Sequence, residues 1–344
     1  MSYQNTGTPR FYIDIPTYLN SIGADYGDGF DKSLFNLNPI TPVKFFDSNQ
    51  SGNISFSIPL STTTNNLFNP NKFYFSLLNH NYGLEDYSEQ GEFGLSGFSL
   101  GDLNNTQNVL NVQASNQFIM IDKIGSTIFT SEIDESINSL NFSSANSDYD
   151  IYVGSVSFGS YYDMPNSPDL DLIMTTEFDG YNSFQTLGGS TLTNVTFNGS
   201  PYWNDKDGNK SEPWSVGDSV SGSVSGSKRN GRRIWNMKFS YISDKNIFSS
   251  NYMSNNYLET STDYDANDLT SRSDKFENTL NNDNSFAGQV LNKVGNGQKF
   301  IFQPDNSNNN PDQFAICVLD QNSLSVKQVA HTTYDISLKI KEVW

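Results

Sequence analysis

Five acidic side chains crowd one stretch of this chain: Asp163, Asp169, Asp171, Glu177 and Asp179. Paired carboxylates can hydrolyse a glycosidic bond, one as acid and the other as base or nucleophile. The chain holds 38 acidic residues against 20 basic ones, a formal net charge of −18. At that density acids occur in most turns, and these read equally as solvated turn residues and Asx caps. His80 and His331 are the only histidines, far apart in sequence. A Ser-His-Asp arrangement needs one of them beside an activated serine, and no G-x-S-x-G elbow accompanies either. Two histidines without further ligands do not make a zinc site. His80, set between Asn79 and Asn81, reads as a turn residue with satisfied hydrogen bonds.

Three oxygen-rich stretches resemble cation loops in composition. "DYDAND" supplies Asp263, Asp265, Asn267 and Asp268, the opening of a calcium loop. It lacks glycine at the sixth place and has Asp274 where glutamate is usual. "DYGDGFD" offers Asp25, Asp28 and Asp31, and "NDKDGN" (204–209) reads as a tight Asp207-Gly208 turn. No catalytic set, cofactor site or metal site is expected.

The elements that position these residues are expected to be strands. Aromatics are 14% of the chain, with 25 Phe and 18 Tyr, and charged residues only 17%. Asn and Gly tolerate left-handed backbone and Asx turns, while Phe, Tyr, Ile and Val fill pleated surfaces. The fold class expected is mainly β: two β-sandwich or jelly-roll-like domains with one or two short helices. The charge repels phosphate backbones, which argues against nucleic-acid binding. No apolar run approaches the roughly 20 residues of a membrane helix. The start, "MSYQNTGTPR", has no apolar leader core. Cys317, the only cysteine, lies in the apolar run "FAICVL" and is expected in the core, so no intrachain disulfide staples the fold.

Periodicity marks the strands. "NISFSI" alternates Ile54, Phe56 and Ile58, and "KFYFSLLNHN" is a denser run. "DIYVGSVSF" changes parity between Val153 and Val156, which predicts a bulge or kink at Gly154. "LDLIMTTEFDG" alternates Leu170, Leu172, Met174 and, after Thr176, Phe178. "IWNMKFSYIS" places Trp235, Met237, Phe239 and Tyr241 on one face. "YDISLKIKEVW" alternates Ile336, Leu338 and Ile340 against Lys339 and Lys341, so the last strand is expected to be tied into a sheet. "IPTYLNSIG" predicts a short helix with Pro16 in its first turn. Phe286, Val290 and Val294 predict another at about 285–294, capped by Asn284 or Ser285 and ended by Gly295. Residues 83–150 read as turn-rich. A boundary near 148 divides an N-terminal β domain (1–148) from a C-terminal one (149–344).

Two stretches read as docking features. "SYYDMPNSP" joins strands through a turn stiffened by Pro165 and Pro168, and Tyr161, Tyr162 and Met164 are types that interfaces favour. A rigid aromatic corner suits a neighbouring subunit better than it suits proton transfer. "GSVSGSKRNGRR" is the one basic cluster: Lys228, Arg229, Arg232 and Arg233 behind a Gly/Ser lead. In an acidic protein such an arm can meet the acidic face of another copy, since Arg pairs bidentately with carboxylates. A solvated hairpin without a partner is the alternative.

The second half resembles tail structural proteins of tailed bacteriophages, especially those of aquatic bacteria. The residues that carry the likeness are "YVGSVSFGSYYDMPNSPDLDLIMTTEFDGYNSFQTLGGSTLTN", then "NGRRIWNMKFSYISDKNIF" (230–248) and the tail "GQKFIFQPDNSNNNPDQFAICVLDQNSL…YDISLKIKEVW". The likeness covers about 151–248 and 297–344. "NLFNPNKFYFSLLNHNYG" resembles the discoidin-like or galectin-like jelly-roll segments that accompany this block. The resemblance implies a non-enzymatic virion protein of a tail tip, distal tail or baseplate. Such a protein is assembled in the host bacterial cytoplasm, often as a symmetric ring of copies joined to neighbouring tail proteins. One alternative is a carbohydrate-binding or depolymerising protein at the host surface, with Trp203 and Trp214 as candidate contacts for host glycans. Another is a capsid or neck component.

Overall fold

The computed structural model describes residues 6–21, 32–39, 42–46, 54–59, 72–80, 92–96, 103–110, 112–114, 119–121, 125–133, 139–144, 151–178, 181–195, 231–248 and 285–343. The fold is mainly β, with short helices and antiparallel pairing throughout the described ladders. The strands of the first half are β1 (Arg10–Asp14), β2 (Val43–Phe46), β3 (Ile54–Pro59), β4 (Phe73–His80), β5 (Glu92–Ser96), β6 (Leu103–Leu110), β7 (Val112–Ala114), β8 (Ile119–Ile121), β9 (Gly125–Ile133) and β10 (Ser139–Ser144). The second half contributes β11 (Ile151–Asp163), β12 (Ile173–Glu177), β13 (Tyr181–Gln185), β14 (Thr191–Val195), β15 (Arg232–Ser243), β16 (Phe300–Gln303), β17 (Ala315–Leu319), β18 (Val326–Ala330) and β19 (Thr333–Glu342). Six of these, β5 to β10, lie in the segment that read as turn-rich.

One long sheet runs β12-β15-β19-β17-β16-β1-β11-β4-β9-β6, with β18 added on β19 and β2 on β11. A second sheet orders β3-β10-β5-β8-β7, and β13 with β14 forms a separate two-stranded sheet. The long sheet crosses the expected boundary near 148. β1 comes from the N-terminal end, yet it is hydrogen-bonded between β16 and β11.

β1 also explains why the middle of the sheet is covered on both sides. Alternate side chains of a strand point to opposite faces. Phe11 and Ile13 join one buried cluster with Trp235, Met237, Phe239, Phe300, Phe302, Leu338 and Ile340. Tyr12 joins the other, with Tyr74, Leu78, Ile128, Ile301 and Phe314. Its hydroxyl donates to Gln303 Oε1 at 2.7 Å, so the ring is buried without an orphaned polar tip. Asp14 ends the strand and caps α1 (Ile15–Ser21), accepting the Thr17 N–H at 2.8 Å.

Two local expectations are corrected. Gly154 makes no bulge: the register of β11 on β4 is continuous from Val153↔His80 to Gly159↔Tyr74, and both parities are buried. Its glycine answers to close approach instead. A Cβ there would press on the Pro39 carbonyl and sit 2.9 Å from Asn79 Cβ. Tyr241 leaves the buried face of β15. Trp235, Met237 and Phe239 are buried as expected, but the register slips between Phe239 and Ile242. Ile242 goes inward, and Tyr241, at φ 58, points to solvent. Asp335 accepts the Tyr241 N–H at 3.1 Å, which holds the bulge.

The C-terminal expectations stand. β19 buries Ile336, Leu338 and Ile340 and lies between β15 on one side and β17 and β18 on the other. On the opposite face Lys339 pairs with Asp320 at 2.6 Å and Lys341 with Glu177 at 2.5 Å. Cys317 is fully buried. A short helix α2 (Asp244–Ile247) follows β15 directly, and the helix expected at 285–294 forms as a π-helical turn (Ala287–Leu291) running into α3 (Asn292–Val294). Ser285 Oγ accepts the Gly288 N–H at 3.0 Å, and Phe286, Val290 and Val294 are buried.

Candidate functional site

The aromatic corner is held by its own chain. Tyr162 and Met164, expected at an interface between subunits, belong to the intramolecular core. The Tyr162 ring packs on Phe286 at 5.9 Å and its hydroxyl donates to the Asn246 carbonyl at 3.2 Å. The Met164 N–H donates to Pro9 O at 2.9 Å. Both are therefore corrected from docking residues to core residues: the end of β11 lies deep in the sheet beside β1, so its inward side chains have no outside surface.

Tyr161, on the other face, is half-buried. The guanidinium of Arg10 lies 4.6 Å from its ring centre and the Lys72 ammonium 5.3 Å. Burial pushes its phenol above the usual range. Asp163 anchors this group: Arg10 Nε donates to it at 2.6 Å, Asn306 Nδ2 at 3.1 Å, and Lys72 stands at 3.7 Å. Burial alone would raise its carboxyl, but the hydrogen bond and charge of Arg10 outweigh that and hold it below the ordinary value. Asp169 likewise serves the fold. Its N–H donates to Lys238 O at 2.7 Å, and its carboxylate accepts from Ser240 at 2.6 Å.

The basic cluster divides. Arg232 and Arg233 begin β15, so they are not part of a loose arm. Arg233 is buried and paired within the chain: Nη2 lies 2.9 Å from Glu342 Oε1, Nε donates to Oε2 at 3.0 Å, and Nη2 also reaches Phe314 O at 2.9 Å. It is thereby corrected from an intersubunit contact to an internal one, since the strand start faces the C-terminal strand. Arg232 is half-buried opposite Glu177 in the β12–β15 ladder. Lys228 and Arg229, Trp203 and Trp214, and the three cation-loop candidates lie outside the described residues.

The remaining chemical candidates are not brought together. His80 is buried in β4, not in a turn, and its Nε2 lies 2.8 Å from Thr127 Oγ1. His331 is exposed between β18 and β19. Among the described residues no three His, Cys, Asp or Glu side chains converge as cation ligands. A shallow pocket of about 50 Å³ lies between Trp235, Arg233, Leu172 and Pro304. Ligand pockets are commonly about 300–1,000 Å³, so this one has room for little more than water.

A different stretch stands out. Eleven large apolar side chains are exposed among the described residues, and eight lie between 170 and 192. They are Leu170, Ile173, Met174, Phe178, Tyr181, Phe184, Leu187 and Leu192. β12 is the end strand of the long sheet, bonded to β15 on one side, and all five of its residues are exposed. The β13–β14 hairpin follows and pairs only with itself among the described strands. Cross-strand partners share a face: Phe184 stands opposite Leu192, flanked by the Asn182–Asn194 pair. Both faces are open to solvent.

The hairpin's turn is well built. Thr186 N–H donates to Ser190 O at 2.8 Å, Gly189 N–H to Thr186 O at 2.9 Å, and Ser190 N–H to Thr186 Oγ1 at 3.2 Å. Gly189 adopts φ 81, a conformation that favours glycine. This arrangement lifts Leu187 to the tip, fully exposed. The legible sequence signal was the Gly188-Gly189 turn; Tyr181 and Phe184 are three apart and so lie on opposite faces, and no alternation marks the segment as a strand pair.

Compared with models of known protein families, with curated proteins and with solved structures, the chain matches none.

Proposed function

We propose that the chain is a non-enzymatic structural subunit of a bacteriophage tail, a tail-tip, distal-tail or baseplate component that self-assembles and connects tail parts in the virion. The observation that carries this reading is the concentration of exposed apolar side chains between Leu170 and Leu192, beside a core that is otherwise covered on both faces of its sheet. An apolar surface of this kind marks an interaction site in a folded protein. The resemblance of 151–248 and 297–344 to phage tail proteins supplies the setting. The ionisable groups at the aromatic corner support the same reading, because Asp163 and Asp169 hold strands together within the chain.

The finer architecture belongs to the proposal: two sandwich-like units sharing the long sheet at β1. The sheet β3-β10-β5-β8-β7, separate from the long one, supports the reading of a second layer in the N-terminal unit.

Mass spectrometry of purified phage particles, with the protein labelled in micrographs, tests the role. Stoichiometric presence at the tail is expected. Absence from particles that are otherwise complete overturns it.

A further inference from the structure

We propose that the β13–β14 hairpin is a preformed arm that docks on a second copy of this chain, with Phe184, Leu187 and Leu192 as its anchors. This rests on the structural-subunit reading and names the partner of the same surface.

Three observations carry it. First, a lone two-stranded hairpin is marginal in water, and this one pairs only with itself among the described strands and is exposed on both faces. Its turn is nevertheless fixed by a set of hydrogen bonds that present Leu187 outward. A shape held in advance lowers the ordering cost of binding. Second, the anchors are grouped: Phe184 stands opposite Leu192 on one face of the hairpin, and Leu187 stands fully exposed in the turn between them.

Third, charge selects the partner. The chain carries −18, but no charged residue occurs from Gly180 to Val195. Two copies of so acidic a protein repel across most of their surfaces. An uncharged apolar arm is where they can meet without bringing like charges into contact. A cationic partner would be better served by an acidic face, which this chain has in plenty and the hairpin lacks.

Charge also sets the salt dependence. Screening weakens the repulsion between copies and leaves apolar contact intact. Association through the hairpin therefore strengthens as salt rises, whereas docking on a basic partner weakens.

The test is sedimentation velocity of the full chain over a concentration series at low and high salt, for the native sequence, Leu187→Ser and Phe184→Ser. Both substitutions are at exposed positions, and circular dichroism checks that each variant is folded. Concentration-dependent association is expected, tighter at high salt, and weakened roughly tenfold or more by either substitution. A native chain that stays monomeric at both salts overturns the proposal, as does association that both variants retain unchanged. If the native chain is monomeric while the variants fail to enter particles, the surface serves a different tail protein, and the second-copy assignment falls. Particle composition reports on the role and the association constant on the hairpin, so the two readings fail separately.

Discussion

Arg233 and Glu342 face each other across β15 and β19, buried, with Nη2 and Oε1 2.9 Å apart. The pair joins the second residue of β15 to the last residue of the C-terminal strand. The guanidinium also lies 5.0 Å from the Trp235 ring centre. Removing one partner leaves the other charge buried, which costs about 3–5 kcal/mol. Arg233→Met and Glu342→Leu are each expected to lose stability on that scale. The double variant Arg233→Met/Glu342→Leu is expected to recover a large part of it, because no buried charge remains. Urea unfolding of the four proteins measures the cycle.

Asp14 and Lys293 give opposite pH dependences. Burial raises the Asp14 carboxyl to about 6, against hydrogen bonds from Ser157 and Thr17. Its folded value lies above its unfolded one, so its contribution is full below about pH 4 and is lost as pH rises through 6. Asp14→Asn is expected to remove most of that decline, on the order of 2 kcal/mol. Burial lowers Lys293 to about 7, beside Gln289 at 2.7 Å. The unfolded chain then holds the extra proton, and stability rises from pH 7 towards 10. Lys293→Met is expected to flatten that rise. Unfolding curves collected from pH 4 to 10 check both signs.

Gly154 sits where β11 passes closest to Pro39 and Asn79. Gly154→Ala forces that contact apart and is expected to cost about 1–3 kcal/mol. The same change at Gly188, which has open space around it, is expected to leave thermal stability nearly unchanged. A thermal melt of the two variants makes the comparison.

Tyr241 holds φ 58 with its side chain in solvent. Left-handed backbone is a strained choice for an aromatic residue, and glycine adopts it freely. Tyr241→Gly is expected to stabilise the fold by up to about 1 kcal/mol, and Tyr241→Val to destabilise it. Denaturant midpoints decide.

Strand existence was legible in the sequence where one face is buried and the other is not. β15 and β19 show this: Trp235, Met237, Phe239 and Ile336, Leu338, Ile340 alternate with polar residues, and their burial follows. Periodicity failed where it could not see tertiary contacts. Tyr241 obeys the alternation, but the bulge held by Asp335 turns it outward. Tyr162 and Met164 have the composition of an interface, and only the neighbouring β1 makes them core. The boundary near 148 was read from local polarity, which carries no information that β1 returns to pair with β11 and β16. At the hairpin the sequence offers no single apolar face, because Tyr181 and Phe184 are three apart and point to opposite sides, so periodicity marked neither the strands nor their exposure.

The most direct test of the account is thiol labelling at the hairpin tip. Cys317 is the only cysteine and is fully buried, so Leu187→Cys introduces a single accessible thiol. Its labelling rate is compared between the dilute protein and purified phage particles that have incorporated the variant. The account predicts fast labelling in dilute solution and strong protection in the particle. Equal labelling in both states would contradict it.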